Sequence, residues 1–410
     1  MERYRYVIVG GGMVAGYAAQ ELVARGLKPG ELAILSADAA PPYERPPLSK
    51  GFLAGREDEA SVAINPPEFY GQHGIALKLR THVTAADPAA HTVRTSGGAD
   101  CGYEKLLIAT GSAVRPLPGI GQAPDGLYYL RSLDDSKRIR AAAGGAQRAV
   151  VAGAGFIAME VASVLADRGL KTVMVFPEDR VWQRFFTPEM SAFFGQYYEQ
   201  RGVTFIPGDT IAAIEGDGAI ESVRLGSGER LRADLVVAGV GVVPAVAPFD
   251  AAGLRIDNGI VVDDHLRASA PDIYAAGDVA NYPDAVFGTR RRVEHWDNAV
   301  EQGRYVARAM TGDEAPWAHV PYFFSDVFDL SYEFWGDTAD AQAVYRGDVT
   351  TSSFSAWWLR DGVLRAAFVM QRPDEERERA PEWIAQHARL DPGRLADDSV
   401  PLTAALARAA

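Results

Sequence analysis

The stretch RAVVAGAGFIAMEVASVLADRG, residues 148–169, decides the fold: an apolar strand runs through a glycine turn into a helix with apolar residues three and four apart. The same pattern occurs once before, as RYVIVGGGMVAGYAAQELVARG over residues 5–26. Two copies of one strand–turn–helix unit predict an α/β protein with two doubly wound, Rossmann-like domains.

The small residues of the two copies correspond in position and in physical role. They are Gly10, Gly12 and Ala15 in the first copy, and Gly153, Gly155 and Ala158 in the second. The first glycine permits a tight turn, the second lets the backbone approach a pyrophosphate, and the alanine lets the helix lie close to the strand. The helix N-terminus then favours the negative charge. The pattern therefore predicts two dinucleotide sites.

Two further apolar strands close these units, in YEKLLIATGSAVRPLPG and in LRADLVVAGVGVVPAV. From about residue 318 the sequence changes to aromatic, alternating segments with an Asp361-Gly362 turn, which predicts two or three strands of a small antiparallel sheet. This part forms a small C-terminal α+β domain in our prediction. The final VPLTAALARAA predicts a frayed helix.

Composition limits the classes of function. The chain has 410 residues, a formal charge of −13 and one cysteine, Cys101. The charge argues against nucleic-acid binding, and one cysteine excludes a C-x-x-C pair or a thiolate metal cluster supplied by this chain alone, so we expect no metal site. A candidate strand begins a few residues after Met1 and no apolar run is long enough to span a bilayer, which favours a cytoplasmic protein.

The ordered motifs resemble one known family. VIVGGG, YERPPLSK, IATGS, GAGFIAME, GVGVVP, IYAAGDVA, RRVEHWDNA and PYFFSDVFDLSYEFWGD follow one another along the chain. Together they resemble flavoprotein reductases of the glutathione-reductase structural type, on the branch with bacterial ferredoxin reductases, plant monodehydroascorbate reductase and apoptosis-inducing factor. GLKPGELAILS, PYERPPLSK and FDLSYEFWGD are most similar to monodehydroascorbate reductase.

The resemblance implies an enzyme with FAD in the first unit and NAD(P)H in the second. It implies a discontinuous FAD-binding domain over residues 1–115 and 246–317, an NAD(H)-binding domain over 116–245, and a C-terminal domain over 318–410. The residues implied to bind FAD are Gly10, Gly12, Ala15, Asp38, Arg45, Lys50, Ala109, Thr110, Gly111, Gly277, Asp278, Glu294, His295 and Trp296. Those implied to bind the nicotinamide nucleotide are Gly153, Gly155, Ala158, Glu160, Glu178 and Gly241.

Within this family pattern, Lys50 and Glu160 are the predicted catalytic pair. A lysine beside the flavin stabilises its negatively charged reduced form, and the resemblance implies that Lys50 pairs with Glu160. Asp38 is the predicted reader of the adenosine ribose of FAD, although it lies farther from its glycine turn than the usual spacing.

The segment VMVFPED, residues 173–179, bears on the choice of nucleotide. In most ferredoxin reductases a glutamate stands where this chain has Phe176, whereas monodehydroascorbate reductase and apoptosis-inducing factor read aromatic-Pro-Glu there. Glu178 then takes the role. A carboxylate accepts the ribose hydroxyls of NADH and repels a 2′-phosphate, so we predict NADH over NADPH, with Arg180 and Arg184 near enough to soften that preference.

The electron acceptor is left open between several classes. Cys101 lies outside YERPPLSK, which excludes thiol chemistry and leaves one-electron delivery to a ferredoxin-type iron–sulfur protein, or to a small organic radical or quinone. Monodehydroascorbate reductase proper is an alternative, but Val300 and Phe324 stand where that enzyme has a substrate-contacting arginine and tyrosine. Phe324 is the candidate on the acceptor side. A second alternative is an NADH redox sensor similar to apoptosis-inducing factor.

Overall fold

The structure is a computed structural model that describes residues 1–121, 124–313 and 315–407. Its chain divides into two compact units. Unit 1 comprises residues 1–46, 58–113 and 242–321, and unit 2 comprises residues 47–57, 114–241 and the part from Tyr322 onward. Each unit is therefore discontinuous in sequence.

The strands of the described residues are as follows. They are β1 (Glu2–Val9), β2 (Leu32–Leu35), β3 (Ala76–Lys78), β4 (Val83–Asp87), β5 (Thr92–Thr95), β6 (Asp100–Ile108), β7 (Ser112–Val114), β8 (Leu127–Tyr129), β9 (Arg148–Ala152), β10 (Lys171–Phe176), β11 (Val203–Pro207), β12 (Ile211–Glu215), β13 (Ser222–Leu225), β14 (Arg230–Arg232), β15 (Leu235–Ala238), β16 (Val242–Pro244), β17 (Ile260–Val261), β18 (Ile273–Ala275), β19 (Ala280–Asp284), β20 (Thr289–Arg291), β21 (Tyr322–Val327), β22 (Leu330–Gly336), β23 (Gln342–Gly347), β24 (Phe354–Arg360) and β25 (Val363–Met370).

The helices of the same residues connect these strands. They are α1 (Met13–Ala24), α2 (Gly51–Ala54), α3 (Glu68–Gln72), α4 (Leu133–Ala143), α5 (Phe156–Asp167), α6 (Pro188–Glu199), α7 (Ala247–Asp250), α8 (Trp296–Met310), α9 (Asp374–Ala385) and α10 (Pro392–Ala396), with 3₁₀ helices at Pro46–Ser49, Gly277–Val279 and Leu402–Ala405.

Unit 1 is built on a twisted sheet in the order β3-β2-β1-β6. These strands are parallel, and β18 joins the C-terminal half of β6, while β5 and β4 add antiparallel to its N-terminal half. The C-terminal parts of β1 (residues 6–9) and β6 (residues 106–108) are buried on both faces, which is why these parts read as apolar runs. Helix α1 packs against α8, and Gly303 permits the close approach because a Cβ there would lie 2.9 Å from the carbonyl oxygen of Val14.

Unit 2 repeats the plan in its nucleotide sheet. The order is β11-β10-β9-β15-β8, and all four pairings are parallel. A three-stranded antiparallel sheet of β12, β13 and β14 follows β11. Segment 47–57 belongs to this unit: α2 packs on α4 and α5, and the Ser136 hydroxyl donates to the Leu48 carbonyl at 2.7 Å. The two-copy prediction of parallel α/β units is confirmed.

The C-terminal sheet of unit 2 is larger than predicted. Five antiparallel strands run in the order β21-β22-β25-β24-β23, where the sequence predicted two or three. The expected turn is present, with Asp361 and Gly362 both at positive φ, as a two-residue hairpin requires. The buried guanidinium of Arg346 holds the end of the chain by donating to the carbonyls of Leu395, Asp397 and Val400.

Two other expectations concern the chain as a whole. The predicted C-terminal helix is wrong for the residues that are described, which form only the short 3₁₀ turn Leu402–Ala405, while residues 408–410 lie outside the described part. Among the helices described, none combines the length and apolar character needed to cross a membrane. The predicted domain limits stay a prediction.

Candidate active site

The first glycine turn ends β1 and begins α1 in unit 1. Gly10 has φ +118°, and a Cβ there would lie 2.1 Å from the carbonyl oxygen of Ala109, so only glycine fits. Gly12 is the N-cap of α1, and no side chain caps the helix. The first-turn N–H groups and the positive end of the helix dipole are therefore available to an anionic group such as a pyrophosphate.

The second glycine turn repeats this arrangement between β9 and α5 in unit 2. Gly153 has φ +112°, and a Cβ there would lie 2.4 Å from the carbonyl oxygen of Gly239. Gly155 is the N-cap of α5, again without a side-chain cap, and a Cβ at this position would meet no atom within 4 Å. Ala158 packs closely against Gly239, which follows β15: a Cβ built on Gly239 would lie 3.1 Å from the Cβ of Ala158.

Asp38 and Arg45 lie near the first glycine turn, in the loop after β2. The Asp38 carboxylate accepts hydrogen bonds from the Tyr43 hydroxyl at 2.6 Å and from the Ala40 N–H at 3.2 Å. The Arg45 guanidinium lies 5.1 Å from the centre of the Tyr43 ring, and a Cβ on Gly12 would be 3.8 Å from Arg45 Nη2. A carboxylate and a cation thus flank the turn.

The segments containing Ala109 and Gly277 meet at the C-terminal ends of β6 and β18. The Ala109 N–H donates to the Val9 carbonyl at 2.8 Å, and the Ala276 N–H donates to the Ile108 carbonyl at 3.1 Å. Thr110 is anchored by its hydroxyl, which donates to the Ala245 carbonyl at 2.8 Å. Because parallel strands end at one sheet edge, these segments lie beside the first glycine turn.

Gly277, Gly111 and the buried Gln302 shape the same edge. Gly277 and Gly111 have positive φ, and a Cβ on Gly277 would lie 2.6 Å from Val14 Cγ2. The Gly277 N–H donates to Gln302 Oε1 at 2.7 Å, while Gln302 Nε2 is buried and has no hydrogen-bond partner among the described residues. The buried Gln302 amide, a donor without a partner beside Gly277 and Gly111, fits a cofactor that bears phosphates and hydroxyls.

The segment Glu294, His295 and Trp296 lies at the start of α8, where the structure gives each residue a distinct partner or environment. Glu294 pairs with Arg292. Burial lowers the pKa of His295 to about 4, against the opposing effect of Asp278 and Asp297. The Trp296 indole N–H donates to Glu44 Oε2 at 2.5 Å.

Glu44 is a residue that the sequence prediction missed. It lies inside YERPPLSK, and it also accepts a hydrogen bond from the Tyr17 hydroxyl. The only sequence feature that could have identified Glu44 as a site residue is its position between Tyr43 and Arg45 in this motif. Glu44 therefore fixes the indole of Trp296 through one oxygen and is itself fixed through the other.

The three arginines before this segment, residues 290–292, bond to carbonyl and carboxylate groups within unit 1. Arg290 donates to the carbonyls of Val262 and Asn281, and Arg291 pairs with the buried Asp284 at 2.7 Å. Arg292 donates to the Asp278 carbonyl at 3.0 Å in addition to pairing with Glu294. The run thus holds unit 1 together rather than offering an open basic patch.

The predicted pair of Lys50 and Glu160 is present in unit 2. Lys50 Nζ lies 2.6 Å from Glu160 Oε1, and both side chains are largely shielded from solvent. Two hydroxyls that the sequence prediction missed join them: Ser49 Oγ is 2.5 Å from Glu160 Oε2, and Ser325 Oγ is 2.5 Å from Glu160 Oε1. The Lys50 ammonium also lies 5.6 Å from the centre of the Phe324 ring.

The end of β10 and the loop after it contain the residues that bear on the choice of nucleotide. Phe176 is buried against Phe205 and belongs to the core, whereas Glu178, in the loop, is half-buried. Arg180 is occupied: its Nη1 donates to the Phe186 carbonyl at 2.7 Å and to Ser191 Oγ at 2.8 Å. The expected softening by Arg180 therefore requires breaking these bonds.

Two more residues complete the description. Gly241, at φ +101°, follows β15, and its carbonyl accepts from the Arg115 N–H at 2.9 Å. Cys101 is buried near the start of β6, and burial raises the pKa of its thiol. Cys101 lies seven positions before Ile108, or about 23 Å at the rise of a β-strand, so the thiol is far from the Ala109 segment.

Comparison with protein families gives two matches that cover most of the chain. Residues 4–303 match the family model described as pyridine nucleotide-disulphide oxidoreductase. Residues 322–406 match the model described as reductase C-terminal. The second match coincides closely with the five-stranded sheet and the helices that follow it.

Individual proteins resemble the chain over its whole length. Monodehydroascorbate reductase of Pisum sativum is 35% identical, covering 97% of this chain and 98% of the relative. The seedling isozyme of monodehydroascorbate reductase of Cucumis sativus is 38% identical, covering 95% of each.

Solved structures resemble the fold equally well. The covalent putidaredoxin reductase–putidaredoxin complex contains a chain with a TM-score of 0.94 and 31% identity, covering 98% of each chain. The ferredoxin reductase for the CYP199A2 system from Rhodopseudomonas palustris has a TM-score of 0.92 and 33% identity, covering 99% of this chain and 100% of that one.

Proposed function

Because the chain belongs to the pyridine nucleotide-disulphide oxidoreductase family, we propose that it takes electrons from NADH and passes them singly to a ferredoxin-type iron–sulfur protein. The chain is an enzyme, an FAD-dependent pyridine-nucleotide oxidoreductase that uses NAD(P)H. Bound FAD supplies a carrier that accepts a hydride and gives up electrons one at a time.

We propose that unit 1 holds FAD through the residues around its glycine turn. Gly10, Gly12 and Ala15 receive the pyrophosphate at the start of α1, and Asp38 accepts hydrogen bonds from the adenosine ribose. The remaining residues of the proposed FAD site are Arg45, Ala109, Thr110, Gly111, Gly277, Asp278, Glu294, His295 and Trp296. The uncapped helix and the unsatisfied Gln302 amide support this assignment.

The arrangement of Lys50, Glu160 and Phe324 is the single observation that carries the proposal. In this proposal, which follows the family resemblance, the Lys50 ammonium would supply a positive charge that stabilises the negatively charged reduced flavin, and Glu160 holds that ammonium in place. Burial strengthens both effects because water screens a shielded charge less. The aromatic ring of Phe324 against Lys50 gives the acceptor side an apolar contact.

NADH rather than NADPH is the proposed electron donor. We assign Gly153, Gly155, Ala158 and Gly241 to the nucleotide backbone, and Glu178 to the ribose hydroxyls. The carboxylate of Glu178 would repel a 2′-phosphate, and the guanidinium of Arg180 is engaged within its own loop. An arginine committed in this way is not poised to neutralise the extra phosphate.

Replacing Glu178 tests the choice of nucleotide. Glu178→Ala is expected to raise the KM for NADH about tenfold, because hydrogen bonds from two ribose hydroxyls to a charged group are lost. The KM for NADPH is expected to stay constant or fall, because the repulsion is lost as well. Asp179→Ala is the matched control, since it removes a neighbouring exposed carboxylate. Equal changes for the two nucleotides would contradict the assignment of Glu178.

A ferredoxin-type protein is the acceptor we favour, and a small organic radical or quinone is the second candidate. The family name refers to disulphides, but one buried cysteine supplies no dithiol. The ascorbate radical is less suited: Val300 is buried in the core of unit 1, and Phe324 offers no hydroxyl. The identity with monodehydroascorbate reductases keeps an organic radical under consideration.

Competing acceptors can be compared directly with NADH as the donor. The kcat/KM values for an oxidised ferredoxin, a quinone and the monodehydroascorbate radical are measured on the FAD-loaded protein. We expect the ferredoxin value to exceed the other two by at least about tenfold. A higher value for the monodehydroascorbate radical would make the alternative of a monodehydroascorbate reductase correct. Slow reoxidation by all three would favour the sensor alternative.

We propose a cytoplasmic location, because NADH, the proposed donor, is an intracellular metabolite. Fractionation of cells that produce the protein, followed by detection with an antibody, tests this. Recovery in an organelle or membrane fraction would contradict it.

A further inference from the structure

We propose that Ser49 and Ser325 are positioning residues that hold the carboxylate of Glu160 in the orientation that engages Lys50. This inference rests on the proposed function, in which the pair of Lys50 and Glu160 tunes the flavin. It adds two residues that neither the glycine motifs nor the lysine–glutamate pair identifies.

The contacts cover both oxygens of the carboxylate. Ser49 Oγ donates to Oε2 at 2.5 Å, Ser325 Oγ donates to Oε1 at 2.5 Å, and Lys50 Nζ lies 2.6 Å from Oε1. With one hydroxyl on each oxygen, the plane of the carboxylate cannot rotate without losing a hydrogen bond. The oxygen that faces Lys50 is therefore specified.

The burial of the cluster makes these bonds strong. Glu160 is 3% exposed, Ser49 is 1% exposed and Ser325 is fully buried. A carboxylate in such surroundings has almost no water to replace a lost donor, so each hydroxyl contributes more than it would at the surface. Two neighbouring tyrosines, Tyr198 and Tyr332, stay neutral because burial raises their pKa well above 10. They add no competing charge.

The two serines come from the same segments as Lys50 and Phe324, whereas Glu160 lies on α5. Ser49 ends the 3₁₀ helix Pro46–Ser49 and directly precedes Lys50. Ser325 lies in β21, and its hydroxyl donates to Glu160, while the ring of the adjacent Phe324 lies over Lys50. Strand β21 thus contacts both members of the ion pair.

The direction of the expected effect follows from charge compensation. With both hydroxyls present, part of the negative charge of Glu160 is neutralised by the serines, and Lys50 keeps more positive charge for the reduced flavin. When one hydroxyl is removed, Lys50 compensates a larger share of the carboxylate charge. The flavin midpoint potential is then lowered, in the same direction as in Lys50→Ala but by less.

The test compares Ser325→Ala and Ser49→Ala in the FAD-loaded protein. Each is expected to lower the midpoint potential of the flavin and to slow its reduction by NADH about tenfold, as loss of a hydrogen bond to a charged group implies. Ser325→Thr keeps a hydroxyl and should restore both quantities.

Ser163→Ala is the matched control, because it removes a buried hydroxyl from the same helix. Ser163 Oγ donates to the main-chain carbonyl of Glu160 at 2.8 Å and not to its carboxylate. We expect its potential to equal that of the unaltered protein. An equal shift in Ser163→Ala would mean that general packing is responsible and would overturn the inference.

Lys50→Ala, measured in the same series, distinguishes the proposed role of the Lys50–Glu160 pair from the proposed role of the two serines. An unchanged potential in Lys50→Ala would overturn the proposed role of the pair itself. A lowered potential in Lys50→Ala, with no change in either serine variant, would overturn only the inference about the serines. If one serine variant fails to fold, the other decides.

Discussion

At the scale of single residues, the proposed chemistry depends on a few buried polar side chains. Lys50 and Glu160 are an ion pair held by two hydroxyls, and His295 is a histidine that the fold keeps neutral. The sequence predicted the ion pair through the motifs that contain its members. It did not predict Ser49 and Ser325, because no local pattern links positions 49, 160 and 325.

His295 gives a prediction for the dependence of stability on pH. Its folded-state pKa of about 4 is below the unfolded value of about 6.5, so the unfolded chain binds the proton more readily. Its stabilising contribution is present above about pH 6.5 and is lost as the pH falls toward about 4. The contribution falls by at most about 1.4 kcal/mol per pH unit in this window.

The measurement is denaturant unfolding of the protein and of His295→Gln at several pH values between 7 and 4.5. The unaltered protein should lose stability more steeply with acidification than the variant, which lacks the titrating group. Parallel curves would show that His295 does not carry this pH dependence.

At the scale of elements, the glycine turns decide whether each helix can start where it does. Their spacing was readable from the sequence because the steric requirement is local: Gly10 and Gly153 both need positive φ and both face a carbonyl oxygen. The C-terminal sheet was less readable. Its five strands include β24, which is buried over nearly its whole length and so lacks the alternation that marks a half-exposed strand.

Gly277 gives a prediction at this scale. Gly277→Ala should lower the free energy of unfolding by about 2–4 kcal/mol, because it combines a strained positive φ with a Cβ 2.6 Å from Val14 Cγ2. It should also weaken FAD retention, since the Gly277 turn lies in the proposed site.

Comparison with Gly98→Ala distinguishes the cost of the positive φ from the cost of the contact between the new Cβ and Val14. Gly98 also has positive φ, but a Cβ there would meet no atom within 4 Å, so a loss of only about 1 kcal/mol is expected. Chemical denaturation gives both values. A similar loss in the two variants would show that contact with Val14 is unimportant.

At the scale of the whole molecule, one α/β plan is used twice, with an antiparallel sheet after the second copy. The repeat predicted this arrangement, and the family and whole-chain similarities agree with it. The sequence alone did not show that segment 47–57 belongs with unit 2, since that assignment depends on contacts of α2 with α4 and α5. Those contacts bring Ser49 and Lys50 to Glu160.

The stoichiometry of electron transfer tests the central claim most directly. The FAD-loaded protein is mixed anaerobically with a limiting amount of NADH and an excess of oxidised ferredoxin, and the ferredoxin reduced is measured by absorbance. Two ferredoxins reduced per NADH oxidised is the predicted result, because one hydride carries two electrons and each iron–sulfur acceptor takes one. Oxidation of NADH without reduction of ferredoxin, or no oxidation of NADH at all, would contradict the account.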